Sequence, residues 1–199
     1  MKVGYPLGQF FSLKYAGKDA NGNSLFYKRD GSTTNSPGIG TDYFYLGSAQ
    51  PKVLMGWSNT FKYKDFDLNI FIRGTFGNKI FNATRADLSY TAGATVNNIL
   101  NSAADDKISD TRNSYYSDRY IENGSYVRLD NATLGYNFKT PFKYVSNIRL
   151  YASTNNLFTI TGYKGIDPEV NQGGVAPGVD YNNFYPKTRT FLLGANVSF

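Results

Sequence analysis

Two groups of carboxylates are the first residues with chemistry to offer. Asp105-Asp106 and Asp167-Pro168-Glu169 set acidic side chains close together, and paired carboxylates can hold Ca²⁺ through hard oxygen ligands or serve as the acid and base of a glycosidase. Neither group has the spacing of a calcium loop. Solvated loop residues account for them more cheaply, and Asp167-Pro168 reads as a turn starter in which proline fixes φ. The chain has no Cys and no His, which removes thiol and imidazole nucleophiles, the Ser-His-Asp triad and thiolate zinc sites. Gly173-Gly174 lacks the flanking strand and helix of a phosphate loop. The reading is therefore of a chain with no catalytic residue, no metal and no cofactor, which is not an enzyme.

Aromatic rings are the other candidates. Tyr43, Phe44, Tyr45, Tyr115, Tyr116, Tyr181 and Phe184 fall in stretches of loop composition. Exposed rings there can stack on sugars or pack against a partner protein; the competing reading is that they pack the loops against one another. The wider composition points to strands. Aromatics are 17% of 199 residues, as 17 Tyr, 15 Phe and one Trp, which is a strand-forming bias broken by turn formers. The 21 Lys and Arg against 15 Asp and Glu are scattered singly, so nucleic acid is not expected as a partner. No run of about 18 apolar residues encodes a transmembrane helix, and Met1-Lys2-Val3 enters Gly4-Tyr5-Pro6 without the apolar region of an export signal. A fragment is expected on that account.

Alternation of period two marks the elements that would position these groups. In Val53 to Tyr63 it sets Val53, Met55, Trp57, Phe61 and Tyr63 against Leu54, Gly56, Ser58, Thr60 and Lys62. In Phe66 to Phe76 it sets Phe66, Leu68, Ile70, Ile72 and Phe76 against Asp67, Asn69, Phe71, Arg73 and Thr75. Only Lys64-Asp65 separates the two, which is hairpin spacing without the usual glycine. Ile148, Leu150 and Ala152 alternate with Asn147, Arg149, Tyr151, Ser153 and Asn155, a strand of about ten residues and so of bilayer-crossing length. Phe191, Leu193, Ala195, Val197 and Phe199 form the apolar side of a last strand that runs to the final residue. Between Ser125 and Phe138 the parity switches from Val127 and Leu129 to Ala132, Leu134 and Tyr136, which predicts either a bulge near Asp130-Asn131 or an upper part that has left the apolar band. Gln9 to Ala16 is a weaker strand, Leu25-Phe26-Tyr27 marks a small hairpin, and Val96 to Ala104 is read as a short helix. Glycines inside strands, Gly56, Gly74, Gly135 and Gly194, mark bends or close packing.

The connections alternate in length. Lys64-Asp65 and Lys139 to Val145 are short, whereas Gly77 to Asn123 and Phe158 to Tyr185 are long, as in a barrel with short turns on one rim and long loops on the other. The polar sides carry Asn, Thr, Ser and Gly rather than Lys and Glu, which suits a wet lumen better than a solvent-facing sandwich. Phe61, Tyr63, Phe66, Tyr136, Phe138, Phe142 and Tyr144 cluster near strand ends, where an interfacial girdle would lie. Arg73, Arg128 and Arg149, on the polar parity, are candidates for contact with a plug or an anionic substrate, or for pairing with Asp67 or Asp130. The predicted fold is all-β: an antiparallel up-and-down meander of about six strands, part of a large transmembrane barrel with long extracellular loops. Two rivals stand beside it, a small self-sufficient barrel or adhesin-like surface domain, and a soluble or surface-exposed glycan-binding β domain.

Several segments, in order, resemble one family. They are Gly4-Tyr5-Pro6-Leu7-Gly8-Gln9-Phe10 with Lys14-Tyr15-Ala16-Gly17; Leu46-Gly47-Ser48-Ala49-Gln50-Pro51-Lys52; Phe66 to Phe71 followed by Gly77-Asn78-Lys79-Ile80-Phe81-Asn82; Ser125 to Tyr136; Asn155 to Tyr163; Asp167-Pro168-Glu169; and Tyr185-Pro186. Across nearly the whole chain this resembles the SusC/RagA family of TonB-linked outer-membrane proteins. The resemblance implies a barrel of about 22 strands with an N-terminal plug, import of glycans or peptides, a SusD-like surface lipoprotein as lid, TonB as energy source, and outer-membrane lipid around the wall. Residues 1–199 would then be the C-terminal portion of such a barrel, without the plug, the TonB box or the N-terminal strands. Tyr43, Tyr45, Tyr115, Tyr116, Tyr181 and Phe184 become candidate substrate or lid contacts. Phe191, Leu193, Val197 and Phe199 resemble the C-terminal signal for barrel insertion.

Overall fold

The alternating segments fold as strands because β-branched and aromatic side chains pack well on a pleated surface and each second residue shares a face. The computed structural model describes residues 4–96, 98–106, 108–110, 116–139, 144–170, 176–181 and 185–199. Its strands, in chain order, are β1 (Gln9–Leu13), β2 (Tyr15–Lys18), β3 (Ser24–Tyr27), β4 (Thr33–Thr34), β5 (Tyr43–Ser48), β6 (Val53–Tyr63), β7 (Phe66–Phe76), β8 (Lys79–Asn82), β9 (Ile121–Asn123), β10 (Tyr126–Lys139), β11 (Asn147–Thr161), β12 (Val179–Asp180) and β13 (Thr190–Ser198). Two short helices, α1 (Ala83–Asp87) and α2 (Asn101–Asp106), complete the elements used below. The chain divides into two units: 1–52, 77–124 and 163–185 form a loop unit, and 53–76, 125–162 and 186–199 form a sheet unit.

The sheet unit is one open antiparallel sheet in the order β13-β11-β10-β7-β6. Neighbours in sequence are neighbours in space, so this is an up-and-down meander with β6 and β13 as free edges. The expected β6 and β7 match their predicted bounds, and Tyr63 pairs with Phe66 across Lys64-Asp65. The left-handed residue of that turn is Lys64 (φ 52°), so the conformation glycine favours is carried here by a lysine. Eleven residues at a rise of about 3.4 Å and a tilt of about 45° cover about 26 Å, the height of a membrane barrel's apolar band. β11 is longer than the ten residues expected, at 15. The register of β10 slips between Leu129 and Asn131 against both β7 and β11, which is the bulge read from the parity change. At one end of the sheet β6 and β7 join through two residues; at the other, 77–125 and 162–189 form the long connections.

Five strands, not six, make this sheet. The weak Gln9 to Ala16 segment breaks at Lys14, whose carbonyl is taken by Tyr27 N (2.9 Å). Its halves pair in the loop unit instead, β1 with β5 and β2 with β3, in a small β2-β3-β4 sheet built on the expected Leu25-Phe26-Tyr27 hairpin. The helix read over Val96 to Ala104 is also displaced. α2 begins at Asn101, because the Leu100 N–H is bound to the Leu88 carbonyl (2.9 Å), and Val96 is exposed. A third sheet, β12-β8-β9, ties the two long connections together through the parallel pairs Phe81 with Val179 and Asn82 with Asp180. Ile80, Tyr163 and Val170 form a buried cluster in this unit.

Candidate functional site

Register converts the alternation into two chemically distinct faces. Directly paired residues share a face, so one side of the sheet carries the rows Trp57–Ile72–Leu129–Phe158, Phe61–Leu68–Leu134–Ala152–Leu193, Tyr63–Phe66–Tyr136–Leu150–Ala195 and Phe138–Ile148–Val197. Phe61 is 49% exposed, Leu134 50% and Leu193 84%, and among the described residues the buried apolar side chains of the whole chain lie in the loop unit, except Tyr126. The four expected insertion-signal residues, Phe191, Leu193, Val197 and Phe199, are all exposed, and the first three pair with Thr154, Ala152 and Ile148. Rings at the turn end pack edge to face, Phe66 on Tyr136 at 4.6 Å and Tyr136 on Phe138 at 4.5 Å. An uncovered apolar surface of this extent needs another apolar phase against it.

The opposite face is a hydrogen-bonded polar surface. Its middle rows are Thr60–Asn69–Thr133–Ser153–Leu192 and Ser58–Phe71–Asn131–Asn155–Thr190. Asn69 donates to Thr60 (2.8 Å), a hydrogen bond joins the Thr133 and Ser153 hydroxyls (2.7 Å), and Asn131 donates to Asn155 (2.8 Å). The three arginines expected on this parity are all here, and Arg149 and Arg73 are paired with carboxylates. Arg149 grips Asp67 with two parallel bonds, Nε to Oδ1 at 3.0 Å and Nη2 to Oδ2 at 2.5 Å. It does so by crossing the backbone of Gly135, where a Cβ would sit 2.4 Å from Nη2. Gly194 has the same use under the Tyr151 ring. Arg73 Nε pairs with Asp130 at 3.0 Å, reaching the bulged residue, and its Nη1 donates to the Tyr126 hydroxyl. Arg128, 1% exposed, donates to Asn156 Oδ1 (2.9 Å). Asn156 is itself left-handed (φ 53°) and its amide donates to the Lys187 and Thr188 carbonyls. Neutral amides and hydroxyls between internally paired charges suit a hydrated interior better than bulk water.

In the loop unit the expected contact aromatics are only partly gathered. Tyr43 and Tyr45 share one face of β5, and Tyr45 packs on Phe11 (5.8 Å), which in turn meets Tyr5 (5.1 Å). Tyr116 sets its ring on Phe81 at 5.2 Å and its hydroxyl on Asp87 while staying 39% exposed. Burial, and then Asp87, push its phenol pKa up. Tyr181 is 54% exposed. Tyr115 and Phe184 lie outside the described residues. The acidic pairs are absorbed locally: Asp106 pairs with Arg119, and buried Asp167 accepts the Glu169 N–H (2.9 Å), a turn.

A polar network that spacing did not reveal joins the two long connections. Glu122 accepts Arg85 Nη1 (2.9 Å) and Asn82 Nδ2 (3.3 Å) on one oxygen and the Lys164 N–H (2.8 Å) on the other. The Tyr163 hydroxyl donates to Asp180, which is 3% exposed. Burial raises the Asp180 carboxyl above its ordinary range and the Tyr163 phenol above its own. Residues 85, 122, 163 and 180 meet only through the β12-β8-β9 pairing, so no local motif announces them.

No family model matches the chain. SusC, a TonB-dependent receptor of Bacteroides thetaiotaomicron, is 33% identical over 211 residues, covering 100% of this chain and 20% of its own length. TonB-dependent receptor P3 of Formosa agariphila is 30% identical over 231 residues, again over 100% of this chain and 23% of its own length. The chain thus spans about a fifth to a quarter of these relatives. Among solved structures, the RagAB peptide importer in its open-open state matches all of the chain with a TM-score of 0.82 at 25% identity, over 23% of that chain. These relatives are receptors and an importer, not enzymes, and a free-edged five-stranded meander with one bare apolar face is what a cut from such a wall would show. The chain is a segment of the outer-membrane β-barrel of a TonB-dependent receptor of the SusC/RagA type.

Proposed function

We propose that this chain supplies part of the wall and outer loops of a TonB-dependent importer that takes up glycans or peptides across the outer membrane. One observation carries the reading: five neighbouring strands of one sheet expose a mainly apolar face, interrupted at Asn59 and Thr154, while their other face is hydrogen-bonded and pairs Arg149 with Asp67 and Arg73 with Asp130. That asymmetry suits a wall between hydrocarbon and a wet interior. Residues 1–199 are the C-terminal portion of the barrel in this reading, with the plug and the TonB contact in a preceding part of the protein. Phe191, Leu193, Val197 and Phe199 act as the insertion signal. A SusD-like lipoprotein covers the outer loops, where Tyr43, Tyr45, Tyr116 and Tyr181 contact cargo or lid.

The test is growth of a strain deleted for the full-length gene on single glycans or on peptides as sole carbon source. Loss on one class, rescue by the intact gene, and no rescue when TonB is removed are expected. Unchanged uptake of every cargo class in the deletion strain defeats the proposal.

A further inference from the structure

The loop unit contains a cleft of about 810 Å³, the size of a small-molecule site. It is lined by Tyr5, Leu7, Phe10, Phe11 and Tyr43, and among the described residues its one charged lining residue is Arg29. Two contacts fix the Arg29 guanidinium. Nη2 donates to the Tyr43 carbonyl, and the group lies over the Phe44 ring at 4.6 Å. It meets no carboxylate among the described residues: adjacent Asp30 is taken by Lys28 (3.3 Å) and by the Ser32 N–H and hydroxyl. Of five N–H donors, most stay available on an exposed, oriented fork.

We propose that this cleft binds a ring-bearing monocarboxylate, the ring on the aromatic wall and the carboxylate on Arg29. A planar fork matches a carboxylate with two parallel bonds, and rings offer apolar faces to a sugar or an aromatic side chain. A single cation among the described lining residues favours a monoanion over a phosphate dianion. Two sources share this chemistry, a uronate residue of a glycan and the C-terminal carboxylate of a peptide ending in an aromatic residue. The inference rests on the import reading only for the fate of the ligand, because binding is measured without transport.

Calorimetric titration of the full-length protein in detergent tests it with two matched pairs, trigalacturonate against trigalactose and Gly-Gly-Phe against its amide. At least one acid should bind at least about tenfold more tightly than its neutral partner. Arg29→Gln should abolish that preference and Arg29→Lys keep part of it. Tyr43→Ala, which leaves the carbonyl holding Arg29, should weaken acid and neutral forms alike. Heat-modified gel migration checks that each variant is folded. Equal binding of acid and neutral forms, no binding of either, or a preference that survives Arg29→Gln overturns the site. Binding without uptake by the same protein in cells would instead count against the import reading.

Discussion

Placing a charge at Ile72 should cost far more than placing the same charge at either end of its strand or on the other face. Ile72 belongs to the row Trp57–Ile72–Leu129–Phe158 on the bare face and lies six residues beyond Phe66 on β7. At about 2.4 Å of height per tilted residue it stands about 14 Å above the aromatic row of Tyr63, Phe66 and Tyr136, close to the middle of an apolar band about 25 Å tall. An arginine there should cost about 2–4 kcal/mol, and one at Phe66 about 0–1 kcal/mol. The first figure is about a 30- to 1000-fold change in the folding equilibrium. Ser58, exposed on the opposite face at nearly the same height through its pairing with Phe71, should tolerate arginine within about 0.5 kcal/mol. Urea titration of the full-length barrel refolded into phosphatidylcholine vesicles, followed by gel mobility, reads all three. Equal costs at Ile72 and Ser58, or a Phe66 cost as large as that at Ile72, would refute the assignment of faces and depth.

Gly135→Ala should displace Arg149 from Asp67, because the added carbon meets Nη2 at 2.4 Å. The expected loss is about 1–3 kcal/mol by urea midpoint, and it should largely vanish when Asp67 is already Ala, since the two changes then remove the same contact. In the loop unit, Asp180 carries a pKa raised by burial and further by Glu122, against a lowering hydrogen bond from Tyr163. A raised acid holds its proton more tightly folded than unfolded. The resulting stabilisation is complete below the ordinary value of 3.8 and is lost as pH rises through the folded value. Amide-exchange protection at 81–82 and 179–180, corrected for intrinsic rates, should therefore increase as pH falls from neutrality towards that value, and Asp180→Asn should flatten the profile. A protection that falls with acid in the unmodified protein contradicts the sign.

Legibility in the sequence followed the range of the interaction. β6 and β7 were readable to the residue, because period-two alternation and a two-residue turn are local signals. The bulge at Asp130 was readable because it reverses parity within one strand. Arg149 with Asp67 and Arg73 with Asp130 could be listed as candidate pairs from parity, but not chosen, since the crossing over Gly135 depends on strand register. The split of Gln9 to Ala16 into β1 and β2 was not readable, because the two halves take different partners, β1 pairing with β5 and β2 with β3. The Glu122 network and the Arg29 cleft were hidden for the same reason. Their members come from segments that only tertiary pairing brings together, and Lys28-Arg29-Asp30 looks like any solvated loop.

The two units obey different rules because they are adapted to different surroundings. The loop unit buries Leu13, Phe26, Ile80, Ile108 and Tyr163 and so carries an apolar core of its own, as a water-facing fold must. The sheet buries almost none, and its order comes from ladder hydrogen bonds, register and the polar face. That makes register the quantity its stability depends on. A slip of one residue would turn each apolar row onto the polar side and set Arg73, Arg128 and Arg149 among hydrocarbon. The Asp130 bulge admits one such change of parity and compensates it on the spot, since the extra residue meets the Arg73 guanidinium and lets Val127 and Leu129 keep the same face as Ala132 and Leu134. The ion pair and the bulge are thus a single device, and removing the extra residue would turn the β10 residues on one side of it onto the wrong face.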